Sequence, residues 1–270
     1  MYELLLVGQL VQSRHDQVLK VLAGLAAMQP HRIIRRYIFY RPQREPEEPG
    51  LRMKRGGTQD VPSKNAKQVN KKDLYFSKVV QELLEGDFEA AAQSSADAPQ
   101  TLRADDGTEW YWLFEDVPET ANRDVLVRAA HTTDIVEGDP HAYMLEGGHR
   151  FLGEFYIEGH RVVYGDKELT LYRPVATSEG LAGQPAPSVS LPPFDSLKPY
   201  DPSGAYVLEA KITLDKLSDT ALFEEAIQEL KDFKEEMRGC VEMLLPDRLD
   251  YDTRVKYVPE YVPKPTGVFR

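Results

Sequence analysis

Residues 150–173 read RFLGEFYIEGHRVVYGDKELTLYR, and no other stretch says as much about the fold. Aromatic and β-branched side chains dominate the run, and Gly159-His160 and Gly165-Asp166 punctuate it at short intervals. Val, Tyr, Phe and Thr suit a pleated, half-buried surface, and turn residues spaced this tightly predict antiparallel hairpins, not strands joined by crossover helices. The run predicts strands at 150–158, 161–164 and 168–173, with turns at Gly159-His160 and Gly165-Asp166.

Outward from this meander, the same signals recur. Residues 2–11 and 31–41 read as strands. Residues 109–116 alternate Trp110, Trp112 and Phe114 with Tyr111 and Leu113, and 124–130, 205–213, 240–245 and 249–258 are further extended runs. Residues 74–84 fit a strand or a short helix. Asp16 can cap a helix with Val18, Leu19, Leu22, Leu25 and Ala26 on one face, stopped by Pro30. Asp139 and Pro140 open a helical turn through Leu145, closed by Gly147 and Gly148. Residues 219–238 give the clearest helix, with Leu222, Phe223, Ala226, Ile227, Leu230, Phe233 and Met237 on one face and Gly239 as its stop. About ten strands against two or three helices, without βαβ alternation or a repeat, define an α+β, β-dominated class. Strands that must hide their edges predict a multistranded antiparallel β-barrel with a few packed helices.

The chain reads as a single β-barrel domain over 1–270 with four loose parts: a disordered basic loop at 42–72, an irregular loop at 86–106, a Pro-rich crossover at 176–204 and a loose tail at 259–270. Within the crossover, LPPFDSLKPYDPSGAYV (191–207) places Leu191, Phe194, Leu197 and Tyr200 at intervals of three among four prolines. Polyproline II has three residues per turn, so these four side chains form a stripe on an ordered strap, facing either the core or a partner. An ordinary loop with incidental apolar residues fits the same spacing. Phe194, Leu197, Tyr200 and Tyr206 are equally suited to packing inward and to meeting a partner.

With 41% hydrophobic residues in 270, a substantial core is available. Cys240 is the only cysteine, which excludes an internal disulfide and a cysteine-based zinc cage and implies a reducing compartment. The N-terminus MYELLLVGQLV has an acid at Glu3, no basic lead and too short an apolar run for a signal peptide or a span, so a soluble intracellular protein is expected. The net charge of -11 is uneven: residues 1–80 hold 15 Lys and Arg against 7 Asp and Glu, so the remaining chain is strongly acidic. Such separation steers charged partners or reflects solvated loops.

Catalytic patterns are missing. Gly56-Gly57 and Gly147-Gly148 lack the strand-to-helix context of a phosphate loop, and GxSxG, HExxH and CxxC do not occur. His131, His141, His149 and His160 fall on predicted turns and strand ends without helical ligand spacing, as surface turn histidines do. Asp105-Asp106 and Glu154/Glu158 are the carboxylate pairs to consider for acid/base work or Mg²⁺. Glu154 and Glu158 would share a strand face, where charges on an edge strand are the simpler explanation. Cys240 reads as buried filler. KNAKQVNKK (64–72) could be a nuclear address or a phosphate-binding patch, but it has no interleaved aromatics and suits a solvated loop.

Residues 191–207, IEGHRVVYGDKELTLYR (157–173), DIVEGDP (134–140), AGLAAMQPHRIIRRYIFYR (23–41) and DRLDYDTRVK (247–256) together resemble the fungal Mediator subunit 18 family. The resemblance implies a nuclear, non-catalytic subunit of the Mediator head module, a coactivator that bridges regulators and RNA polymerase II in transcription. It implies a barrel shaped like the tunnel-type triphosphatases, paired with Mediator subunit 20 and tethered by the C-terminal helix of subunit 8. It carries over no catalytic, cofactor-binding or metal residue, no small-molecule substrate, no membrane and no direct nucleic-acid binding. The enzyme alternative, a tunnel-type RNA/nucleoside triphosphatase, needs an ExExK strand that puts two carboxylates and an ammonium on one inward face. The first strand, YELLLVGQLV, has one acid and then leucines, and no other strand supplies the motif. Nucleic-acid binding through 52–72 is a third option.

Overall fold

A computed structural model describes residues 1–46, 73–93, 101–105, 107–121, 123–177 and 184–258. Its strands are β1 (Tyr2–Leu10), β2 (His31–Pro42), β3 (Ser77–Leu83), β4 (Glu109–Glu115), β5 (Leu126–Asp134), β6 (His149–Tyr164), β7 (Lys167–Thr177), β8 (Leu197–Pro199), β9 (Tyr206–Leu214) and β10 (Met243–Leu244). Its helices are α1 (His15–Ala26), α2 (Glu85–Gln93), α3 (Pro140–Glu146) and α4 (Thr220–Glu236). Eight strands pair antiparallel in the ring β1-β5-β4-β3-β2-β6-β7-β9, and β9 closes it by pairing with β1 along all nine residues of both. β10 extends the wall on β1, and β8 does so on β7. Closure leaves these eight strands without an open edge.

Successive strand residues point to opposite faces, and directly paired residues share a face, so the register assigns every side chain to one side of the wall. Most of the buried aliphatic side chains fall outside, although Leu5, Val80, Leu126 and Ile157 share the inner face. Leu4, Leu6, Leu169, Leu171, Leu208, Ala210 and Ile212 lie under α1 and α4, sealed by Val18, Leu22, Phe223, Leu230 and Phe233. Ile38, Tyr40, Val79 and Trp110 pack with Met144 of α3 and with Leu102 and Ala104. The apolar core is thus a jacket around the barrel.

α4 forms where expected. Asp219 caps it by accepting from Ala221 N and Leu222 N (3.2 and 3.3 Å), and Gly239 takes a positive φ of 82° just beyond its end. α1 differs in detail: a 3₁₀ turn (Gln12–Arg14) precedes it, so Asp16 sits inside the first turn and bonds His15 instead of capping. Residues 74–84 resolve as β3, and β10 keeps only two residues of the run expected at 240–245. The stretch expected to be extended at 249–258 begins as turns, with a single bridge between Tyr75 and Arg254.

Two larger differences have clear causes. Gly159-His160 is no turn: β6 runs unbroken for 16 residues. Gly159 lies opposite Tyr172, and a Cβ there would meet Tyr172 Cα at 2.6 Å and press still harder on the Leu171 carbonyl oxygen. Glycine is needed for close approach of two backbones, a use that looks like a turn signal in sequence. Gly165, with φ of 59° in the two-residue link from β6 to β7, is the real turn. The other difference lies within 86–106. α2 occupies part of that stretch, and its Phe88 is 2% exposed, packed against Tyr156 and Phe194. One aromatic among Ala and Glu gave no helical period to read. Most of the 42–72 loop, part of 176–204 and the 259–270 tail lie outside the described residues.

The strap is ordered and faces the core. Leu191, Phe194 and Leu197 pack against Ile34, Leu83, Phe88, Tyr156 and Val175, whereas Tyr200 is 65% exposed. The interval of three fails at Tyr200 because Phe194–Ser196 is a 3₁₀ turn and β8 then pairs with β7. Arg36, 1% exposed on the outer face of β2, pins the strap: Nε donates to Glu154 (2.9 Å), and its guanidinium also reaches the Ser188 carbonyl.

Gly159→Ala should therefore destabilise the chain by about 2–3 kcal/mol through overpacking. Gly24→Ala, in the last turn of α1 with nothing near its added methyl, should be neutral or stabilising by up to about 1 kcal/mol. Urea-denaturation midpoints of the two variants check the pair.

Candidate functional site in the barrel lumen

Many inward positions of the same strands are charged. β9 turns Glu209 and Lys211 inward while Leu208, Ala210 and Ile212 go out. β7 adds Glu168, β1 Glu3, β5 Arg128, β4 Glu115, β3 Lys78 and β6 Arg161. These residues form one belt of alternating sign through seven consecutive strands. Arg161 meets Glu168 (2.9 Å), Glu168 meets Lys211 (3.9 Å), and Lys211 meets Glu3 (3.4 Å). Glu3 meets Arg128 (2.8 Å), Arg128 meets Glu115 (2.6 Å), and Glu115 meets Lys78. On the eighth strand, Phe39 offers its ring to Lys78, 5.6 Å from the ring centre. Beside the belt, Arg35 pairs with Glu82, which also accepts from Tyr111 Oη (3.1 Å), and Tyr37 and Phe39 stack on Phe155.

The pairing is visible in the ionisation of the carboxylates. Burial pushes Glu115 up, but Lys78 and Arg128 outweigh it and hold the group below the usual carboxylate range; Glu168 behaves likewise between Lys211 and Arg161. Lys211 is raised, because Glu3, Glu209 and Glu168 outweigh its burial. Glu209 is the exception. Burial raises it, and neither Lys211 nor Arg128 compensates in full. Burial also pushes Tyr37 and Tyr251 up to about 12.

The chain's own C-terminal part reaches into this space. Tyr251 places its ring 5.5 Å from the Arg128 guanidinium. Thr253 Oγ1 donates to the Glu115 carbonyl (2.6 Å), and Phe76 N donates to the Thr253 carbonyl (2.8 Å). Polyphosphate chemistry needs uncompensated cations and free carboxylates for a metal. Here Glu3, Glu115 and Glu168 each face two cations. Among the described residues no three His, Cys, Asp or Glu side chains are grouped as a metal site. β9 supplies Glu209 and Lys211 at the last two positions of an ExExK spacing, but Val207 stands where the first acid belongs.

The residues singled out from sequence are scattered. Glu154 and Glu158 do share a face of β6, but β6 lies between β2 and β7 and is no edge strand. Glu154 holds Arg36, and Glu158 holds Arg32 and Arg173. His131 is exposed beside Phe114, and His141 bonds Tyr40 Oη (3.0 Å). His149 and His160 are half-buried, and burial lowers both below the usual imidazole value. Cys240 is partly buried against the main core, and Tyr206 is buried within it. Asp105 pairs with Arg103 at the surface, while Asp106, Gly56, Gly57 and 64–72 lie outside the described residues. The belt was missed, although VLEAKIT and KELT alternate polar and apolar residues as a two-sided wall requires.

These features define a class: a closed antiparallel barrel with a helical jacket and a self-neutralised interior. A family model described as Med18 protein matches residues 2–254. Proteins named Mediator of RNA polymerase II transcription subunit 18 are similar over nearly the whole chain. The one from Aspergillus oryzae is 32% identical, covering 95% of this chain and 100% of its own length, and the one from Aspergillus fumigatus is 31% identical over the same shares. Among solved structures, the Schizosaccharomyces pombe Mediator head module contains a chain with the same fold: TM-score 0.63 at 17% identity, covering 91% of this chain and 99% of that one. The chain belongs to the Med18 family.

Removing one member of the belt should cost far more than a surface ion pair. Arg128→Met leaves Glu3 and Glu115 facing each other and should destabilise by about 3–5 kcal/mol in urea denaturation. The pH dependence has two opposite parts. Glu115 and Glu168, depressed when folded, contribute stability above the unfolded carboxylate pKa that drains away as pH falls through their folded values. Glu209, raised when folded, costs stability as pH rises from its unfolded value through its folded one. Glu209→Gln should therefore stabilise the chain at pH 7 and lose that advantage at pH 4, as thermal midpoints at the two pH values would record.

Proposed function

We propose that the chain is a structural, non-catalytic subunit of the Mediator head module, serving the bridge between regulators and RNA polymerase II. Membership of the Med18 family across residues 2–254 carries this reading. The lumen supports the non-catalytic part. An enzyme that grips polyphosphate holds its charges available, and this barrel spends its own on one another. The site of work is the nucleus, where the relatives' named process takes place. The partners are Mediator subunit 20, as a heterodimer, and the C-terminal helix of subunit 8, in keeping with the family resemblance.

Co-expression with subunit 20 and the C-terminal segment of subunit 8 should give a stable ternary complex on size exclusion. Failure of all three to co-elute would refute the partner assignment. The purified chain should release no phosphate from nucleoside triphosphates with Mg²⁺ or Mn²⁺, and metal-dependent release lost in Glu209→Gln would restore the enzyme reading.

A further inference from the structure

His15 opens α1 and His160 stands in the middle of β6, and the fold brings their ring centres to 5.5 Å. His15 Nδ1 lies 2.9 Å from Asp16 Oδ1. A carboxylate only accepts, so Nδ1 carries the proton, and in the neutral ring Nε2 is left with a bare lone pair. His15 Nε2 and His160 Nδ1 are both buried without a hydrogen-bond partner. Two buried ring nitrogens left unsatisfied on neighbouring rings are unusual in a folded protein and call for a reason.

The separation suggests one. Two imidazoles bound to one tetrahedral ion at about 2.0–2.1 Å per nitrogen have ring centres about 5–6 Å apart. The Asp16–His15 contact is the orienting carboxylate that metal-bound histidines commonly carry. Tyr206, its ring centre 4.3 Å from that of His15, holds the imidazole in place. His15 and Asp16 also line a cavity of about 710 Å³ with Gln12, Ser13 and Tyr206, which lies on the His15 side of the pair. Glu158, on the same face of β6 as His160, pairs with both Arg32 and Arg173 and offsets their charge.

The geometry points to a two-histidine site for a borderline divalent transition metal such as Zn²⁺, bound by His15 Nε2 and His160 Nδ1 with solvent in the remaining positions. The site is independent of the assembly role. Titration of the metal-free full chain with Zn²⁺, and with Co²⁺ as an absorbing probe, should show one equivalent bound. Affinity should fall tenfold or more in His15→Gln and in His160→Gln. Asp16→Asn should weaken binding about tenfold by freeing the ring. Zn²⁺ should raise the thermal midpoint of the wild type but not of His160→Gln. No binding, or equal affinity in His160→Gln, would overturn the assignment. Should either Gln variant fail to fold without metal, imidazole resonances of the wild type decide. Shifts of His15 and His160 together on Zn²⁺ addition support the site, and shifts confined to other histidines refute it.

Discussion

A barrel wall whose strands alternate aliphatic and charged residues has one register that satisfies both sides, and the contact between Glu3, Arg128 and Glu115 is where that constraint is tightest. Arg128 lies between two carboxylates at 2.8 and 2.6 Å, on a strand flanked by theirs. A slip of one residue in β1, β7 or β9 would turn its charge into the helical jacket and bring Leu4 and Leu6, Leu169 and Leu171, or Leu208 round to the lumen. Buried ion pairs are weak evidence for net stability, since desolvation offsets much of their attraction. Their contribution here is to specify pairing: each charge finds its partner only when neighbouring strands are correctly aligned.

The rest of the architecture follows from this inversion. Because the belt takes up much of the lumen, the main aliphatic clusters lie outside the wall, and each described helix seals a sector of them. α1 and α4 close one side, α3 another, and α2 with the strap a third. Arg36, 1% exposed, is held in the jacket by Glu154 and by the backbone of the strap it anchors. On the inner side, Tyr251 lies against Arg128 and fills space that an open tunnel would leave to a ligand.

Much of this was legible from local pattern. Most of the barrel strands, α4 with its Asp219 cap and Gly239 stop, and the barrel itself follow from period and turn chemistry, and the family resemblance agrees with them. What was not legible depends on contacts distant in sequence. Gly159 carries the same letter whether it turns the chain or lets Tyr172 approach, and only its opposing strand decides. The stripe at Leu191, Phe194 and Leu197 was visible, but its direction depended on Phe88 in a helix with no readable period. The Glu3–Arg128 pair joins residues 125 positions apart, and nothing local to either announces the other.

The claim that the belt is a cooperative structural unit is tested most directly by a double-mutant cycle between Arg128 and Glu115. Arg128→Met, Glu115→Gln and the double variant would be compared by urea denaturation at pH 7. Coupling within one charge network should make the double variant more stable than the sum of single losses predicts, by about 1–3 kcal/mol. Losses that simply add would mean that the lumen charges act independently and do not hold the barrel in register.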